Sequence, residues 1–94
     1  MTNRNEVYKA IDSERAYQNS RWCRTDPEKA AGYNPHSVTE WLTYMRHYVE
    51  EGLKVATTSN DPDASNQALQ FARKVAALGV VAMEQHGAPL REGF

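Results

Sequence analysis

The sequence predicts an all-α fold of three helices, an N-terminal helix followed by a long antiparallel αα-hairpin. Three observations carry this. Valine, isoleucine and leucine recur at helical spacing and do not alternate as in a half-buried strand. Ser37, Val38, Thr39 and Glu40 form a capping box ahead of an amphipathic run. Asp61–Pro62 and Gly87–Pro89 bracket a third run with helix start and stop signals.

The first helix is expected over about 5–22, with Asn3 and Glu6 as a capping pair. Its inner stripe begins apolar with Val7, Tyr8 and Ile11 and ends on Trp22. Between them it turns polar, with Glu14, Arg15 and Gln18 at positions where apolar residues are expected. Buried polar groups need partners. The stripe therefore reads either as a Glu–Arg network holding helices in register or as the wall of a polar pocket. The connector, 23–37, carries a capping signal in Thr25 and Glu28 around Pro27, which places a short helical turn at 26–31. Arg21, Arg24 and Lys29 make this stretch basic, interleaved with Trp22 and Tyr33, a composition suited to clamping a phosphate and stacking on a base.

The second helix is expected over about 38–56. Val38, Trp41, Leu42, Met45, Tyr48, Val49, Leu53 and Ala56 make its apolar stripe, with Gly52 marking a close crossing. Glu40, Tyr44, His47 and Glu51 line its edge, and His47 with Glu51, one turn apart, suit a shared divalent metal or proton. A polar turn, Thr57 to Asn60, leads to the third helix, about 62–86, some 36 Å long at roughly 1.5 Å per residue.

The third helix organises the chain. Ala64, Ala68, Phe71, Ala72, Val75, Gly79, Ala82 and His86 lie along one face, and Leu69, Ala77 and Val81 along another, so its second half is apolar nearly all round. Two other helices scarcely wrap it, which predicts packing into a homo-oligomeric bundle. The tail, 88–94, ends on Phe94.

The 94 residues make one domain, 1–94, with too little interior for a large enclosed site. A formal charge of −1 with both signs interspersed argues against general nucleic-acid binding. Cys23 is the sole cysteine, which excludes an intrachain disulfide and cysteine-pair metal sites. Met1–Glu6 is polar with no apolar run behind it, and the third helix is too short of apolar residues for a bilayer, so neither a secretory leader nor membrane association is expected. There is no glycine-rich phosphate loop.

Parts of the chain resemble the all-α nucleoside triphosphate pyrophosphohydrolases of the MazG type, which bind magnesium through EExxE on one helix and ExxD on the next. Glu50–Glu51 matches the start of the first motif, with Lys54 in place of its third acid; the third helix has Glu84 followed by Gln85 and His86, without ExxD. The resemblance implies a metal-dependent nucleotide hydrolase, the only reading in which Mg2+ is required; as a second alternative to binding, that reading takes its candidate metal ligands from Glu14, Glu40, Glu50, Glu51 and Glu84, with His47 beside Glu40, Glu51 and Glu84. The segments AIDSERAYQNSRW, HSVTEWLTYMRHYVEEG and RKVAALGVVAMEQHGAPLRE resemble short proteins of tailed bacteriophages. That resemblance implies a protein of the host bacterial cytosol that blunts host defence or alters host metabolism, for example by sequestering a nucleotide signal between subunits.

The residues themselves are expected to form a site for a small anionic, nucleotide-like ligand. Its members are Glu14, Arg15, Gln18, Arg21, Trp22, Arg24, Tyr44 and Tyr48, with aromatics stacking a base, arginines pairing phosphate and Glu or Gln reading polar edges. No resident cofactor is expected, and the site is expected between subunits. The alternative is an interaction module whose apolar helix docks on a host protein.

Overall fold

The computed structural model describes residues 1–22, 35–58 and 60–93. They form three helices, α1 (Arg4–Trp22), α2 (Val38–Thr58) and α3 (Ala64–His86). No strand occurs among the described residues. The expected turn at 26–31, with Arg24 before it, lies outside them.

Side-chain caps set the helix starts. The Glu6 amide donates to Asn3 Oδ1 at 2.9 Å, and Asn3 Nδ2 donates back to the Glu6 carboxylate at 3.2 Å. Ser37 and Glu40 form the reciprocal box at α2: the Glu40 amide donates to Ser37 Oγ (3.1 Å) and the Ser37 amide to Glu40 Oε1 (2.9 Å). α2 runs past the expected Ala56 to Thr58. The hydroxyls of Thr57 and Thr58 donate to the carbonyls of Leu53 and Lys54, which occupies acceptors of the last turn. α3 starts later than the proline suggests. The Asp63 amide donates to Asp61 Oδ1 at 2.8 Å and the Ala64 amide to the Asp61 carbonyl at 3.0 Å, so Asp61–Asp63 is a turn leading into the helix. Gly87, at φ 112°, ends α3 and donates its amide to the Met83 carbonyl at 2.8 Å.

α3 is the central element and packs against both α1 and α2. Trp41, Leu78 and Val81 are buried at the core, with Trp22, Met45, Tyr48 and Ala82 around them. α2 and α3 lie closest where Gly52 faces Phe71; a Cβ at Gly52 would sit 3.0 Å from Phe71 Cβ. The α1–α2 junction is a ring contact, Trp22 on Trp41, with centroids 5.7 Å apart.

Two features differ from the simple amphipathic expectation. The buried residues of α1 are Glu14, Arg15 and Gln18, whereas Val7 and Tyr8 are exposed. The apolar stripe of α2 is only half covered: Trp41 is buried, but Val38, Leu42, Val49 and Leu53 are exposed, as are Leu69 and Met83 on α3. No helix among the described residues is long and apolar enough to cross a membrane.

Candidate functional site

The polar centre of α1 meets α3 through two ion pairs that reach in opposite directions. Glu14 accepts from Arg73 Nε at 2.8 Å, and Arg15 Nε donates to Glu84 Oε1 at 2.6 Å. Arg73 and Glu84 are three helical turns apart on α3, so adjacent residues of α1 grip widely separated points. Arg15 also donates to Asn19 Oδ1 at 2.7 Å, and its guanidinium lies 5.5 Å from the Trp22 ring centroid. Of its five donor sites, Nη2 is buried without a partner. These contacts satisfy most of the polarity that α1 carries inward.

Gln18 is different. It is 6% exposed, and its Oε1 is buried with no hydrogen-bond partner. Gln18 lines a cleft of about 230 Å³ shared by all three helices, together with Glu14, Tyr17, Arg21, Trp22, Tyr48, Lys74 and Leu78. The cleft adjoins a wider groove of about 550 Å³ between α1 and α3, with Glu14, Tyr17 and Lys74 common to both. Because Glu14 is neutralised by Arg73, the cations Arg21 and Lys74 set the sign of the cleft. Neither forms an ion pair with a carboxylate among the described residues. Lys74 Nζ stands 4.8 Å from the Tyr48 ring centroid and 5.7 Å from that of Phe71. Lys74 is thus held over two ring faces at the edge of the cleft.

Of the residues the sequence nominates, Glu14, Gln18, Arg21, Trp22 and Tyr48 come together in this cleft within one chain. Arg15 does not line it and sits in the ion-pair network beside it. Tyr44 lies elsewhere, at the start of α2, against His36 (ring centroids 5.2 Å) and Trp41 (6.0 Å), beside a shallow recess of about 190 Å³. Arg24 is outside the described residues. Tyr17, Lys74 and Leu78 are additions that the sequence reading missed. A signal for two of them exists: Gln70, Lys74 and Leu78 form an i, i+4, i+8 line on α3, which attention to apolar residues alone passes over.

The carboxylates named for a metal do not converge. Glu40 faces Ser37 and His36, Glu50 pairs with Arg46 at 3.2 Å, Glu51 with Lys54 at 3.6 Å, and Glu84 with Arg15. His47 stacks edge-on against Tyr48, with centroids 5.1 Å apart. Among the described residues no three His, Cys, Asp or Glu side chains form a group suited to a metal ion.

The remaining histidines tie the open end of the hairpin. Trp41 Nε1 donates to Gln85 Oε1 at 2.8 Å, and the His36 amide donates to the same oxygen at 3.3 Å. His86 Nε2 lies 2.7 Å from the His36 carbonyl, and since a carbonyl only accepts, that nitrogen carries the proton. His86 therefore serves the α2–α3 clasp and is committed to it.

Comparison of the chain with protein-family models, with characterised proteins and with solved structures finds no match.

Proposed function

We propose that this chain is a binding protein that holds a small anionic, nucleotide-like molecule in the cleft between α1, α2 and α3. The observation that carries the reading is a cleft lined by Gln18, Trp22 and Tyr48 into which Arg21 and Lys74 bring two cations with no carboxylate ion-pair partner among the described residues. An unpaired buried acceptor costs on the order of 1–3 kcal/mol. A turn of the Gln18 amide toward the cleft lets a ligand N–H, such as the exocyclic amine of a base, relieve that cost. Trp22, Tyr17 and Tyr48 offer ring faces or edges to a planar group, and the two cations offer partners for a phosphate. The 230 Å³ recess is smaller than the usual small-molecule pocket, so the ring occupies the recess and the remainder extends into the adjoining groove.

With carboxylates individually engaged, holding without turnover fits better than metal-dependent hydrolysis. Such holding suits the sequestering role that the resemblance to short phage proteins implies. Native mass spectrometry of protein purified from nucleotide-rich bacterial cells tests this, followed by melting with AMP, ADP and ATP in the presence of EDTA. Retained nucleotide mass, or a metal-independent rise in melting temperature that Lys74→Ala and Arg21→Ala both reduce, supports the reading. Bare protein that no nucleotide stabilises overturns it.

A further inference from the structure

The side of the α2–α3 hairpin that α1 leaves open is apolar along both helices. Between them runs a groove of about 470 Å³, lined without a charged residue and including Val49, Leu53 and Ala56 of α2 and Ala68, Ala72 and Ala76 of α3. The groove meets the nucleotide cleft at Tyr48, which lines both, and the wider α1–α3 groove at Phe71; on α3 a rotation of about 100° separates the Ala72–Ala76 line from the Arg73–Ala77 line, which faces α1. Leu42, Val49 and Leu53 stand 57%, 46% and 57% exposed along α2. A contiguous exposed apolar face on this scale marks an interface.

We infer that this face is covered by a second copy of the chain, giving a two-fold dimer whose two hairpins form a four-helix bundle. Three features select that occupant. First, the face is self-complementary. Leu42, Val49 and Leu53 make a ridge on α2 at seven- and four-residue steps, and Ala68, Ala72 and Ala76 make a trough on α3 at steps of four. α2 and α3 run antiparallel, so a two-fold axis lying along the hairpin between them sets the ridge of one copy over the trough of the other. Second, the area suffices. Two helices about 30 Å long, about 10 Å apart, offer a footprint on the order of 600 Å² per copy, which reaches the lower range of stable dimers. Third, the groove offers no charge to a nucleic acid, an acidic peptide or an anionic surface. This inference does not rest on the nucleotide reading: Tyr48 is shared, but the cleft's other residues lie on α1 and on the Lys74–Leu78 line of α3, outside the groove.

Sedimentation equilibrium of the full chain tests it, with Leu53→Arg and Ala72→Arg as variants. Both positions are exposed within one chain, so the helical circular-dichroism signal is expected to survive. The expected result is a wild-type mass of two chains and dimerisation weakened more than about a hundredfold in each variant, because each places an unpaired guanidinium in the interface. A wild-type protein that stays monomeric overturns the inference, as does a dimer indifferent to both substitutions. A chain that is monomeric alone but forms a stoichiometric complex with a different protein, broken by Leu53→Arg, overturns it in favour of a foreign partner.

Discussion

Arg15, in the middle of α1, closes an ion pair at 2.6 Å with Glu84, in the last turn of α3. The pair is asymmetric: the Arg15 side chain is 7% exposed and that of Glu84 is 48% exposed. Arg15 is thus a buried structural cation that also braces Asn19 and the Trp22 ring. Arg15→Ala is expected to lower stability by about 2 kcal/mol, the scale of losing hydrogen bonds to a charged group. Glu84→Gln is expected to cost less, since the amide oxygen still accepts. Urea denaturation followed by helical circular dichroism measures both. An Arg15→Ala protein as stable as wild type, or a zero coupling in the Arg15→Ala/Glu84→Ala cycle, removes the structural role.

Gln18 makes the opposite prediction for its own removal. Methionine fills similar volume without an acceptor, so Gln18→Met relieves the unpaired Oε1. The variant is expected to match or exceed wild-type stability, by up to about 1 kcal/mol. In the same protein, nucleotide affinity is expected to fall at least tenfold, about 1.4 kcal/mol. Paired melting and titration calorimetry decide it. Lost stability with unchanged binding assigns Gln18 to the fold instead.

These two neighbours show what was legible in the sequence and what was not. The helices were readable because their signals are local: Asn3 with Glu6, Ser37 with Glu40, and Gly87 act within a few residues. The polar break in α1 was also readable as a decision between network and site. The structure divides it, giving Glu14 and Arg15 partners on α3 and leaving Gln18 without one for its oxygen. That division depends on Arg73 and Glu84, which are 59 and 69 residues away in sequence, and no local pattern announces such pairs. Tyr44 parts from Tyr48 for a similar reason. Its helical position relative to Tyr48 is plain, but the crossing of α1 over α3 decides that only Tyr48 borders the cleft. The core of α3 likewise falls on Ala77, Leu78 and Val81, between the faces used by α1 and α2. An all-round apolar sequence does not reveal which side lacks a neighbour.

The two interior glycines of the hairpin are expected to respond in opposite directions to alanine. At Gly52 the new methyl meets Phe71 Cβ at 3.0 Å and Cγ at 3.5 Å, with the Ala68 carbonyl at 3.8 Å behind it. Overpacking there typically costs 1–3 kcal/mol, and the gain in helix propensity, about 1 kcal/mol, does not offset the upper part of that range. At Gly79 the nearest atom is the flexible end of Met45, at 3.6 Å, an ordinary contact. Gly79→Ala is therefore expected to stabilise by about 0.5–1 kcal/mol. Denaturant midpoints of the two variants check the sign. A Gly52→Ala protein more stable than wild type shows that Phe71 can move away at little cost.

The cap of α2 makes stability depend on acid. The Ser37 backbone N–H, followed by its hydroxyl and the His36 ring, holds the Glu40 carboxyl below its ordinary value. A carboxyl depressed in the folded state contributes stability above its unfolded pKa and loses it as pH falls through the folded value. The contribution is thus present at neutral pH and declines from about pH 4.5 downward. Glu40→Gln preserves a side-chain oxygen for the Ser37 amide, as the capping box allows, but cannot titrate. Wild type is expected to melt above Glu40→Gln at pH 7, and the gap is expected to narrow as the pH is lowered below about 4.5. Melting curves of the two proteins across this window measure it directly. A gap that stays constant with pH assigns the cap's strength to geometry alone, with the Glu40 charge contributing nothing.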